Sequence, residues 1–156
     1  MKNIKALELS KAKLLEYNPL QKEQVVALRA LAEDFINTLD TGHTVEELIQ
    51  NGSVLLLKTP LTGYVGFVSY KLIDKGSTAH LSFVCIASAE RGKGYGKVLI
   101  EKTIEYFKSI EQIELLRLGV RVGNDAAKAL YESVGFKEYA RGKDSGLEFI
   151  MLSLAI

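Results

Sequence analysis

The stretch Ile86-Ala-Ser-Ala-Glu-Arg91-Gly-Lys-Gly-Tyr-Gly96 limits what this chain can become more than any other. It follows an apolar, strand-like run at 81–85 and opens into a helix-like run at 97–109. Gly92, Gly94 and Gly96 occupy alternate positions. Glycine reaches positive φ without penalty and lets a ligand approach the main chain. A strand that turns through such a segment into a helix aims several N–H groups into one concavity, and the helix adds its positive dipole end. The segment is therefore read as an anion site, with Arg91, Lys93 and Lys97 adding positive charge and a phosphate or pyrophosphate as guest.

Spacing separates the phosphate-binding loops. A dinucleotide fingerprint needs G-x-G-x-x-G, and its last position falls here on Lys97. A Walker A loop needs G-x-x-x-x-G-K-[S/T]; its first position falls on Arg91 and its last on Val98. Both fail. The pattern present is R-x-x-G-x-G, formed by Arg91, Gly94 and Gly96.

The rest of the chain supplies the setting. Its 156 residues suit one domain, residues 1–156, with one hydrophobic core. A net charge of +1 carries no concentrated basic face, so neither nucleic acid nor a membrane surface is expected as partner. One cysteine excludes an internal disulfide framework. Met1 leads into Lys2, Asn3 and a strand-like run rather than a signal-peptide core, so the expected location is cytoplasmic.

In order, residues 3–9 are expected to form a first strand. Asn18-Pro19 marks a turn, and apolar residues at Val25, Leu28, Ala32, Phe35 and Leu39 predict a helix over 20–39. Thr44 and Glu47 form a capping box that starts a short second helix ending near Gly52. Strands follow at 53–58, 64–74 and 78–87, then the glycine turn, a helix at 97–109 and a strand at 113–122. Asn124 caps a helix that Gly135 stops, and 136–141 with 147–154 form a closing hairpin. The order is β-αα-βββ-α-β-α-ββ. The fold class is α/β in the α+β sense: a mixed, mostly antiparallel sheet with a central parallel pair made by the crossover from 78 to 122.

A second motif joins the first. Asn124, Ala127, Tyr131, Gly135 and Phe136 lie at N-x-x-A-x-x-x-Y-x-x-x-G-F spacing. Together with R-x-x-G-x-G and the element order, this closely resembles the GNAT superfamily of N-acetyltransferases. The resemblance implies a GNAT fold and acetyl-CoA as co-substrate. It implies transfer of the acetyl group to a primary amine, on a small molecule or a peptide, by direct attack in a ternary complex. It places the cofactor against Val84, Cys85, Ile86, Arg91, Gly92, Lys93, Gly94, Tyr95, Gly96 and Lys97, and against Asn124, Ala127 and Tyr131. A main-chain N–H at Ile86 or its neighbour would polarise the thioester carbonyl. The alternative is a non-catalytic acyl-CoA-binding or sensing domain of the same fold. A homodimer is allowed.

The chemistry needs a proton donor for the departing thiolate and an acceptor for the amine proton. Tyr131 is the expected general acid, against a reading as a core tyrosine. On the strand at 78–87, His80, Ser82, Val84 and Ile86 share one face, and Leu81, Phe83, Cys85 and Ala87 the other. His80 is the candidate base, with Ser82 positioning a water, against a purely structural histidine; His43 is a weaker candidate. Asn124 serves the cofactor arm or simply caps its helix. Cys85 is read as a buried, inert thiol. No metal-binding spacing is present, and no metal site is expected.

Overall fold

The protein is described from a computed structural model. It covers residues 2–39, 42–49 and 53–156, with side chains in the first helix from residue 4 onward. Among these residues the chain runs α1 (Lys2–Ser10), β1 (Lys13–Glu16), α2 (Lys22–Thr38), α3 (Val45–Ile49), β2 (Val54–Thr59), β3 (Gly63–Ile73), β4 (Thr78–Ile86), α4 (Tyr95–Lys108), β5 (Leu115–Arg121), α5 (Asp125–Ser133), β6 (Lys137–Asp144) and β7 (Leu147–Ala155). The strands hydrogen-bond in the order β1-β2-β3-β4-β5-β7-β6. β4 and β5 pair in parallel, with His80 opposite Arg117, and the pairs β1–β2, β2–β3, β5–β7 and β6–β7 are antiparallel. This is the mixed sheet with one parallel pair that the element order implied.

Contacts divide the chain into two compact units, residues 1–69 with 83–103 and residues 70–82 with 104–156. In the first, α2 and α3 cover one face of the sheet. Leu28, Leu31, Ala32 and Leu48 pack on Val54, Leu56, Phe67 and Cys85, with Phe83 and Ala87 against the same cluster. The expected alternation of β4 is therefore correct over its second half. In the second unit, Leu116, Leu118, Ile150 and Leu152 are buried on β5 and β7, whose register sets Leu118 opposite Leu152.

Several boundaries differ from expectation. Residues 3–9 are helical, not a strand; the first strand is Lys13–Glu16. The segment is rich in Ala, Leu, Lys and Glu, which lose little rotamer freedom in a helix. The stripe of α2 is also rotated. Gln24, Leu28, Leu31 and Ala32 are buried, while Val25 and Leu39 are exposed. Half of the capping box forms: the Thr44 hydroxyl accepts the Glu47 N–H at 3.2 Å. The Glu47 carboxylate goes instead to His43 Nδ1 at 2.7 Å and the Thr44 hydroxyl at 3.3 Å. The expected stop at Gly52 lies outside the described residues. Helix α4 begins at Tyr95, so Gly96 and Lys97 sit in its first turn rather than ahead of it.

Candidate functional site

The glycine turn is built at the end of β4. Ala87 donates its N–H to the Val65 carbonyl at 2.8 Å, which is the last tie to β3. A single 3-10 turn, Ser88–Glu90, follows. Gly92 then adopts φ 78° and Gly94 φ 94°. These are left-handed values that side-chain-bearing residues rarely hold. The space beyond the Gly92 α-carbon is open, and a side chain at Gly94 would extend toward Leu9 of α1 at 3.8 Å. In α4, the first bond over the turn is Val98 N–H to the Gly94 carbonyl at 3.3 Å. The N–H groups of Tyr95, Gly96 and Lys97 precede it, so the helix itself offers them no acceptor. Two positive-φ glycines, open space beyond Gly92 and a helix N-terminus together suit a phosphate group.

The side chains of the turn divide between inside and outside. Arg91 folds inward: Nε–H donates to the Ile86 carbonyl at 3.0 Å, and the guanidinium lies over the Phe35 ring at 5.8 Å. Its Nη2 is 4.0 Å from Asp34 Oδ2 on α2. Asp34 accepts the Ser88 N–H at 2.7 Å and the Ser88 hydroxyl at 2.6 Å. Burial acts to raise the Asp34 pKa, but the two Ser88 bonds and the Arg91 charge outweigh it and hold the carboxyl below its ordinary value. Lys93 faces outward and pairs with Glu90 at 3.1 Å. Tyr95 is buried at 4% exposure, and burial followed by the Glu8 and Glu90 charges raises its phenol pKa. What Tyr95 offers a ligand is therefore its main chain. Lys97 is exposed.

Of the other strand residues named from sequence, Cys85 is buried, and burial pushes its thiol pKa well above the ordinary value. It stays protonated and unreactive at neutral pH. Val84 and Ile86 are partly buried on the opposite face. His43 donates or accepts at Glu47 and meets the Phe83 ring edge-on at 4.9 Å.

Residues 70–82 and 104–156 carry the remaining candidates. His80 is partly buried and sits opposite Arg117 across the parallel pair. Burial, then the positive charges of Lys71 and Arg117, lower its pKa from the ordinary histidine value. Each of these causes favours the neutral imidazole over the imidazolium. Ser82 follows on the same strand and is partly exposed. Asn124 caps α5, its Oδ1 accepting the Ala127 N–H at 3.3 Å. Tyr131 on α5 is 9% exposed and meets Phe136 edge-on at 5.9 Å. Its carbonyl accepts the N–H groups of Val134 and Phe136 around Gly135, at φ 109°. The second motif thus encodes a helix with a cap, a stop and an aromatic pair at its end.

Asp34 and Ser88 went unnoticed in the sequence. The signal was there: Leu31, buried, shifts the α2 stripe so that Asp34 borders it three residues on.

Comparison with known proteins identifies the family and the fold. The profile of the Acetyltransferase (GNAT) family matches residues 26–136. An N-alpha-acetyltransferase of Saccharolobus solfataricus is 31% identical over 111 residues, covering 60% of this chain and 65% of that protein. Across the first curated relatives, the shared stretch covers 30% to 65% of their length. The ribosomal-protein-S18-alanine N-acetyltransferase from Escherichia coli superposes with TM-score 0.74 at 20% identity, over 93% of this chain and 94% of that one. Spermidine N-acetyltransferase from Vibrio cholerae, in complex with CoA and spermine, gives 0.74 at 18%, over 94% and 96%. The sheet with its one parallel pair is theirs, and with residues 26–136 matched by the family profile, this chain belongs to the acetyltransferase (GNAT) family.

Proposed function

We propose that the protein is an acetyl-CoA-dependent N-acetyltransferase acting on a primary amine. The observation that carries this is the turn from Gly92 to the start of α4, with two left-handed glycines leading into a helix N-terminus. Main-chain N–H groups from Gly92 to Lys97 hold the pyrophosphate of the cofactor, and the exposed Lys97 adds charge. The bound thioester supplies an activated acetyl carbon. An N–H at Ile86 or its neighbour bonds the thioester oxygen as it gains charge during attack.

His80, whose burial favours the neutral imidazole, takes a proton from the acceptor ammonium directly or through a water held by Ser82, which frees the amine lone pair for attack. The neutral amine nitrogen bonds to the acetyl carbon, and the carbon–sulfur bond breaks. Tyr131 gives its phenol proton to the thiolate. The nitrogen gives up its second proton to solvent, from which the Tyr131 phenolate regains its own. The reference values of a free phenol, about 10, and a free thiol, about 8.5, are close enough for such a transfer. Asn124 and Ala127 hold the start of α5 against the cofactor arm. The similar proteins are named for N-alpha-acetylation, for a ribosomal-protein alanine and for spermidine, and these share an amine. The reading therefore commits to amine chemistry and to no single acceptor.

Calorimetric titration with CoA, followed by thiol release from acetyl-CoA in the presence of peptides with free N-termini, spermidine or aspartate, tests it. The wild type is expected to bind CoA and to release thiol with at least one amine. Gly94→Val, verified as folded by circular dichroism, is expected to lose CoA binding. Unchanged affinity in that variant would move the cofactor away from this turn.

A further inference from the structure

The five residues Ala87 to Arg91 lead from β4 into the glycine turn, yet their own regular structure is one 3-10 turn. Something else must fix them. Two side chains do so, and both converge on Asp34. Ser88 spends its N–H and its hydroxyl on the two Asp34 oxygens, at 2.7 and 2.6 Å, across 54 residues of sequence. Arg91 closes the segment on itself through Nε–H to the Ile86 carbonyl. Its Nη2 is buried with no hydrogen-bond acceptor among the described residues, 4.0 Å from Asp34 Oδ2. That is an ion pair without a hydrogen bond, set over the face of Phe35. The guanidinium is therefore committed inward. A further ion pair of the turn, Lys93 with Glu90 at 3.1 Å, engages a separate carboxylate.

We propose that Asp34 is a positioning residue for the acetyl-CoA loop: by holding Ser88 and Arg91 it ties the glycine turn to α2 and presets its N–H groups for the cofactor. The proposal rests on the reading that this turn binds acetyl-CoA and deepens it. Preset donors bind more tightly because no ordering cost remains at the moment of binding. With the carboxylate gone, the Ser88 N–H loses its partner and the Arg91 charge loses its counter-ion. The turn then samples other conformations, and only the fraction in the bound conformation takes up ligand.

Calorimetry with CoA as the probe, on the full chain well below its melting temperature, decides it. Asp34→Asn keeps the size and one acceptor oxygen but removes the charge. Its CoA Kd is expected to rise about tenfold, with Ser88→Ala rising less. The double variant should be no weaker than Asp34→Asn alone, because both changes break one link. Asp34→Glu should recover part of the loss. Ser88→Ala, which removes a single hydroxyl, keeps the test alive if the Asp34 variants do not fold. Absence of CoA binding by the wild type would remove the assignment of the loop, and the role of Asp34 with it. Wild-type binding together with an unchanged Kd in folded Asp34→Asn or Ser88→Ala would overturn the positioning role alone. Losses that add between the two sites and track the melting temperature would also overturn it, since they report general destabilisation.

Discussion

Gly66 illustrates how a single residue can be required for space rather than for backbone freedom. A β-carbon built there falls 2.5 Å from the Cys85 carbonyl oxygen and 2.8 Å from Ile86 Cδ1. The oxygen belongs to backbone, so it cannot swing aside. β3 and β4 approach this closely just where Val65 accepts the Ala87 N–H and the chain leaves for the glycine turn. Gly119 on β5 differs: a β-carbon would first meet Met151 Sδ at 3.3 Å, the flexible end of an adaptable side chain. Gly66→Ala is therefore expected to cost about 2 kcal/mol or more, the usual scale for overpacking. In a chain of this length that lowers the melting temperature by about 5 °C or more. Gly119→Ala should cost well under half as much. Paired thermal melts check the contrast, and equal losses would contradict it. The sequence sets Gly66 inside the expected strand at 64–74, but it does not reveal why glycine is needed there, because the close approach is made by residues far along the chain. The glycines of R-x-x-G-x-G were legible because the constraint on them is local.

Among the elements, α1 departs most from expectation. Alternating Leu7, Glu8 and Leu9 read as a strand, and Ile4 and Leu7 prove to be exposed on a helix. What holds the helix is Glu8, only 5% exposed. Its carboxylate accepts the Thr59 hydroxyl at 2.9 Å, the Leu61 N–H at 2.8 Å, the Thr62 N–H at 2.9 Å and the Thr62 hydroxyl at 2.7 Å. A glutamate that serves as the anchor of its helix looks, in sequence, like a solvent-facing charge. The donors come from the turn between β2 and β3, and no periodicity reveals them. Burial alone would raise the Glu8 pKa; the Thr62 hydroxyl, the two N–H groups and the Thr59 hydroxyl overcome this and bring it from 4.5 down to about 2. A carboxyl lowered by folding stabilises the native state fully above its unfolded pKa and loses that contribution as pH falls through the folded one. The window here runs from about 4.5 to about 2. Glu8→Gln cannot offer four acceptor sites and should melt below wild type at pH 7. The gap should narrow as pH is lowered through that window. A gap independent of pH would mean that the carboxylate charge is not what holds α1.

At the scale of the whole molecule, the proposed chemistry is distributed along the sequence: the glycine turn follows β4, the base candidate lies within β4, and the acid candidate lies on α5. The family was legible because two motifs fix local backbone, a turn with left-handed glycines and a capped helix with a glycine stop, and local backbone is what short spacing encodes. The acceptor was not legible, since an amine site needs only shape and a few carboxylates or hydroxyls drawn from distant segments. Tyr131 offers the sharpest test of the chemistry. Tyr131→Phe deletes the hydroxyl and keeps the ring that packs on Phe136, so the melting temperature and CoA affinity should stay close to wild type. If the phenol protonates the departing thiolate, single-turnover acetyl transfer should slow by about 10²-fold or more, the usual scale for a lost general acid. The penalty must then depend on the leaving group. A donor whose thiol is more acidic than that of CoA departs with less help, so the ratio of wild-type to variant rates should shrink with it. An equal penalty with both donors would assign Tyr131 to positioning, and full activity with acetyl-CoA would take the phenol out of the reaction.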